Sequence, residues 1–295
     1  MLKLKEWPLV MFSVLVQSSV GIFIFAFGAA VLPRARENRW LFRAADRWGL
    51  ALLGLVGLAL LISLFHRGRS LSVYFPVQDH QPGRLNREIS SLGIFFLLLV
   101  VLEFLLVMRF QGGLLAALVM LAGLSGLMVI YVMSRSHCLS GIRLWKSSRT
   151  AVFFFLTAFL VGSLTMLLFQ RIGSAALMLS WLGGLYWWAA ALLAGLAFIY
   201  LLLFDQVSGL FPLPGSWPFR SRSRRAVFAL RLAMLLAILG LLLNSHPADR
   251  SHNHATVIFL ILSLTLAITE EVLGRITFYA LAESTGSSSR NVPAG

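Results

Sequence analysis

The chain alternates between long apolar runs and short polar breaks. Eight runs stand out, at roughly 8–32, 48–65, 90–108, 112–133, 151–169, 176–204, 227–243 and 255–281. A helix needs about 20 predominantly apolar residues to cross the hydrocarbon core of a bilayer. The seventh run is short for that purpose and the sixth is long enough to tilt. Charged or turn-forming segments separate the runs, among them PRARENR at 33–39, FQGG at 110–113, QRIGS at 170–174 and FPLPGSWPFRSRSRR at 211–225. The runs are continuous rather than alternating, which speaks against membrane β-strands. Helices also satisfy every backbone group internally, as lipid demands. The pattern predicts an all-α integral membrane protein, an eight-transmembrane-helix bundle that forms a single membrane domain over 1–295.

Composition sharpens this reading. Hydrophobic residues make up 59% and charged residues 12%, whereas soluble domains are about half apolar and about a quarter charged. The net charge of +14 comes from arginines in short loops rather than on one face. That placement suits anionic headgroups or an acidic partner protein and argues against nucleic acid. The single cysteine, Cys138, rules out an intramolecular disulfide and a thiolate-held cluster or structural zinc. The first run exceeds a signal peptide's apolar core and has no small-residue cleavage site, so it reads as a retained helix.

Tryptophans near run ends (Trp7, Trp40, Trp48, Trp145, Trp217) fit interfacial belts, and Trp181, Trp187 and Trp188 fit packing positions. Recurrent glycines, such as Gly21 and Gly126, fit close helix packing. Eight spans place both termini on one side. That side holds 17 of the 25 Lys and Arg residues, against 8 on the other. The positive-inside rule then favours cytoplasmic termini.

Ionisable groups inside a span are costly and default to functional hypotheses. Glu103 lies near Arg109 and reads as a structural ion pair. Glu271 and Arg275 share a helix face in the favourable acid-first order, and an internal brace is the plainer reading of them. Gln17 and Gln170 are weaker polar candidates. His80, His137, His246, His252 and His254 fall between the runs. A spanning b-type haem needs axial histidines facing one another in the core, so a haem-free chain is expected. His252-x-His254 has no partner spacing for a metal.

His66 and Glu88 remain, at the lips of successive runs with Arg67, Arg69, Arg84 and Arg87 around them. Oxidising a quinol requires acceptors for two protons where a headgroup can approach from the bilayer. A histidine titrating near neutrality and a partly buried carboxylate fit that task. The plainer reading is that these groups anchor helix ends among headgroups. A transporter is a third reading, but Gly/Pro-broken helices do not recur at matching positions of two halves.

Five motifs in order add a resemblance. They are EWPLVMFSVLVQSSVG (Glu6–Gly21), Phe65-His66-x-Gly68, Asn86-Arg87-Glu88-Ile89, Trp145 with TAVFFFLT (Thr150–Thr157), and Glu271-x-x-Gly274-Arg275-x-x-Phe278-Tyr279. The chain resembles the DmsC family, the membrane anchors of dimethyl sulfoxide reductase-type molybdenum enzymes. It departs from the family pattern at Gly68-Arg69-Ser70, at Thr150-Ala151 and at Glu270. The resemblance implies an eight-helix anchor in the bacterial cytoplasmic membrane that oxidises menaquinol and carries no haem or metal of its own. Electrons would pass to a four-cluster ferredoxin-like iron–sulfur subunit, then to a catalytic subunit with a molybdopterin cofactor. Both would dock on the side of the termini, which the best-known members place in the periplasm. His66 and Glu88 correspond to residues linked to the quinol site. Arg67, Arg87, Gln17, Glu271 and Arg275 complete the expected binding set, the arginines at 67 and 87 by electrostatic tuning and the 271–275 pair by bracing the wall. A quinone-linked subunit of the polysulfide-reductase type is the alternative within the same plan.

Overall fold

The computed structural model describes residues 7–28, 39–67, 83–110, 113–138, 148–172, 180–209, 221–245 and 254–288. These form eight helices: α1 Trp7–Gly28, α2 Arg39–Arg67, α3 Gly83–Val107, α4 Gly113–Cys138, α5 Ser148–Ile172, α6 Ser180–Gly209, α7 Ser221–Asn244 and α8 His254–Ser288. Among the described residues there is no strand.

Among the described residues, seven helices are long and apolar enough to cross a membrane. For α2 the described side chains cover a shorter apolar stretch, Trp48–Ser63. The helix begins at Arg39 rather than at 48, because RWLFRAADR continues the helical backbone while contributing charge rather than apolar length. Among the described residues, seven of the eight predicted spans are long and apolar enough to cross, and α2 is described over a shorter apolar stretch. The third and seventh helices also start earlier than their apolar runs, at Gly83 and Ser221, and the eighth continues to Ser288.

The helices pack as two four-helix halves. In the first, α1 touches α2 and α4, and α3 closes the ring between them. In the second, α5 touches α6 and α8, and α7 closes the ring. The halves join chiefly through α1 against α5. These two helices are accordingly the most enclosed, 72% and 67% buried over their apolar windows against 17% for α7. A helix that is apolar on every face belongs in such a position, and α1 carries no charged residue between Trp7 and Gly28.

Small residues set the α1–α5 distance. A Cβ added at Gly21 would run into the Ala158 carbonyl, and one added at Gly162 would run into the backbone of Gly21. Only small residues let two backbones approach this closely. Nearby, Gly126 of α4 seats against Val20 and Phe95, which brings α1, α3 and α4 to one level.

The helices run alternately up and down. The Trp48 ring near the apolar start of α2 lies 3.6 Å from that of Phe169 near the end of α5. The Tyr186 hydroxyl near the start of α6 donates to the Phe25 carbonyl near the end of α1 at 2.7 Å. Thus α1 and α5 end on the same side. Trp48 is buried in this contact rather than belonging to a belt, while Trp188 is exposed and Trp187 is buried with its indole N–H on the Leu242 carbonyl.

The turn after α3 is capped without glycine. Phe110 N–H bonds the Leu105 carbonyl and Arg109 N–H bonds that of Leu106, the paired closure of a Schellman motif. Arg109 holds the left-handed position at φ 54°, which glycine would occupy without steric cost.

Candidate functional site

Three buried charged residues, Glu270, Glu271 and Arg275, come together on α8. On α8, Glu271 and Arg275 are both fully enclosed. Arg275 Nε donates to Glu271 Oε1 at 2.6 Å, one helical turn away. The second carboxylate oxygen, Oε2, accepts from the Thr157 hydroxyl of α5 at 2.8 Å. The Arg275 guanidinium covers the Phe154 ring with its central carbon 3.5 Å from the centroid. Charge, hydrogen bonds and a ring face together offset the cost of burying an ion pair away from water. One α8 motif, Glu271-x-x-Gly274-Arg275, thereby interlocks with Phe154 and Thr157 of TAVFFFLT.

A second pair adjoins the first. Glu270 points to α7, where Arg231 Nε donates to its Oε1 at 2.7 Å. The Arg231 guanidinium crosses Gly274 so closely that an added Cβ would lie 2.7 Å from Nη2. The departure from the family pattern at Glu270 therefore has a partner in the same chain. Sequence reasoning misses Arg231, grouping it with the basic loop ahead of α7. A cation ten residues into a helical, apolar segment is the available sign.

Gln17 of α1 is wholly buried, and neither its Oε1 nor its Nε2 meets a hydrogen-bonding partner among the described residues. It lies one turn before Gly21 on the same helix face. Since Gly21 meets Ala158 and α1 runs parallel to α5, Gln17 is level with Phe154, one turn before Ala158. Gln17 thus lies at the level of the Phe154–Arg275 contact.

Glu88 is buried in the second turn of α3, while its neighbour Arg87 is exposed. Phe95 is level with Val20, and Glu88 comes seven residues earlier on a helix parallel to α1. That places Glu88 near the level of Ser13, about 6 Å along the bundle axis from Gln17. His66 and Arg67 fall in the last turn of α2, and their side chains lie outside the described residues. The α2–α3 register follows from Gly57 beside Phe96 and Gly49 beside Glu103. Continued to the end of α2, it sets position 66 level with Arg87 and Glu88.

Glu103 stands apart, its carboxylate packed against Gly49 toward the opposite end of the bundle. Among the described residues no cluster of three or more His, Cys, Asp or Glu side chains could hold a metal. His137 lies in the last turn of α4 and His254 opens α8, rather than both lying in loops. His80, His246 and His252 lie outside the described residues.

A family model described as DMSO reductase anchor subunit (DmsC) matches residues 1–281. The chain belongs to the DmsC family. A relative from Haemophilus influenzae, named as the C subunit of an anaerobic dimethyl sulfoxide reductase, is 26% identical over 164 residues. That stretch is 54% of this chain and 56% of the relative, so the chain spans about half the length of the curated relative it matches. No solved structure matches. DmsC membership and seven long apolar helices make this a multi-pass membrane protein.

Proposed function

We propose that this DmsC-family chain anchors a molybdoenzyme complex to the bacterial cytoplasmic membrane and oxidises menaquinol there. The observation that carries the reading is the buried Glu88 carboxylate beside exposed Arg87, at the same level as the turn that holds His66. Oxidation of a quinol releases two protons and two electrons. Glu88 takes one proton and His66 binds the headgroup or relays the other. Arg67 or Arg87 tunes these two groups electrostatically. The electrons leave to a four-cluster ferredoxin-like subunit and then to a molybdopterin-bearing catalytic subunit.

In this reading α2 completes an eighth span. Its 29 residues extend about 43 Å, and its basic first turns lie among headgroups. Both termini then share a side with Glu88. Arg231 and Arg275 pair within α7 and α8, so fifteen of the seventeen basic residues assigned to that side remain, against eight. This excess faces an acidic iron–sulfur partner. DmsC membership sets the reading ahead of a polysulfide-reductase-type subunit and of a transporter.

Glu88→Gln keeps the shape and removes the proton acceptor. Quinol-driven turnover is expected to disappear while the complex still assembles. Loss of assembly in that variant makes Glu88 a structural residue and removes the basis of the proposal.

A further inference from the structure

Of the seven long apolar helices, α7 is the least enclosed, and it packs chiefly on α6 and α8. Its inward stripe is Arg231, Leu235, Ile238 and Leu242, spaced as one helix face. Lipid tails are as apolar as leucine, so no hydrophobic force presses this stripe against its neighbours. Directional polar contacts are then what fix the height of the helix in the membrane.

Two such contacts grip α7, one toward each end. Toward its start, Arg231 Nε donates to Glu270 Oε1 of α8 at 2.7 Å. The same guanidinium rests in the notch at Gly274 and stands 5.4 Å from the centroid of the Phe153 ring on α5. At the other end, the Trp187 indole N–H of α6 donates to the Leu242 carbonyl at 2.8 Å. The two grips are unequal. Without Trp187, the Leu242 carbonyl still accepts from the Ser245 hydroxyl at 2.9 Å. Without Glu270, a cation is left five residues inside the apolar span that starts at Ala226, about 7 Å from its edge. A guanidinium stranded there is drawn toward the headgroups.

We propose that Arg231 and Glu270 form a depth latch, an ion pair that sets how far α7 stands out of the membrane. The helix begins with Ser221-Arg222-Ser223-Arg224-Arg225. Its height is therefore also the height at which these arginines meet an acidic iron–sulfur partner, a consequence that rests on the function proposed above.

The test reads depth on the full chain in nanodiscs, with whatever subunits copurify. Nitroxide labels are placed one at a time at Leu230→Cys and Leu243→Cys, both exposed on α7. The background is Cys138→Ser, since Cys138 is the single cysteine. Collision with oxygen and with a water-soluble nickel chelate gives the depth of each label. In Glu270→Ala the label at 230 is expected to rise toward the headgroups and that at 243 to sink. Each moves by about 5 Å, one helical turn. In Glu270→Ala combined with Arg231→Leu, both labels are expected at wild-type depth, because no stranded charge remains. Unchanged depths in Glu270→Ala overturn the proposal. So do depths that stay displaced in the double variant, which mark the pair as packing alone. If Glu270→Ala yields no folded chain, the exchanged pair, Arg231→Glu with Glu270→Arg, is decisive. Wild-type depths then support the latch, and displaced labels or no folded chain overturn it. Depth is read from the chain itself, so failure of the docking or quinol reading leaves these outcomes unaltered.

Discussion

Arg231 of α7 closes on Glu270 of α8 at 2.7 Å, over a glycine that leaves room for its guanidinium. The adjacent residue, Glu271, turns to α5 instead. Two consecutive carboxylates thus tie one helix to two neighbours, Glu270 through Arg231 of α7 and Glu271 through the Thr157 hydroxyl of α5.

Removing one partner of such a pair strands the other. Arg231→Met is expected to cost about 3–5 kcal/mol, whereas Arg231→Met combined with Glu270→Met recovers most of the loss. Thermal unfolding of the purified chain in detergent checks this. A double variant as unstable as the single one would show that the pair does more than compensate its own charges.

The Thr157 hydroxyl is the only bond from α5 to the Glu271 carboxylate among the described hydrogen bonds. Thr157→Val keeps the shape and deletes it, at an expected cost of about 1.5–3 kcal/mol for a bond to a charged acceptor. Thr157→Ser should retain most of the stability. Equal midpoints for Thr157→Val and wild type would mean that another group takes over that oxygen.

Where α1 crosses α5, there is no space for a methyl group. Gly162→Ala should force the helices apart and cost about 1–3 kcal/mol or more. The displacement would be visible as earlier thermal unfolding and faster proteolysis. A wild-type-like variant would mean that the α1–α5 distance is not set by these glycines.

Much of this architecture is legible in the sequence because lipid imposes a simple rule, that apolar length makes a span. At α2 the apolar run understates the helix, because Arg39, Arg43 and Arg47 belong to it without adding apolar length. The Glu271–Arg275 pair is legible from its four-residue spacing. Its partners Phe154 and Thr157 are not, because pairing between α5 and α8 is a tertiary fact. Arg231 is hidden for the same reason, since a lone arginine in an apolar run shows its purpose only when Glu270 is seen opposite. Gln17 stands out as a polar residue in a span, but that neither end of its amide meets a partner among the described residues follows only from packing. His66 and Glu88 can be juxtaposed from sequence because they stand at the facing ends of successive apolar runs. Their common level follows from the α2–α3 register.

The central claim is that Glu88 takes a proton from quinol as electrons leave for an iron–sulfur partner. The most direct test uses the complex isolated gently from membranes, with a menaquinol analogue added anaerobically and the clusters followed by electron paramagnetic resonance. The account predicts cluster reduction in wild type and a loss of at least about a hundredfold in its rate in Glu88→Gln, the scale of a missing acid–base group. Equally fast reduction in the two proteins, or a chain that purifies with no clusters to reduce, would contradict it.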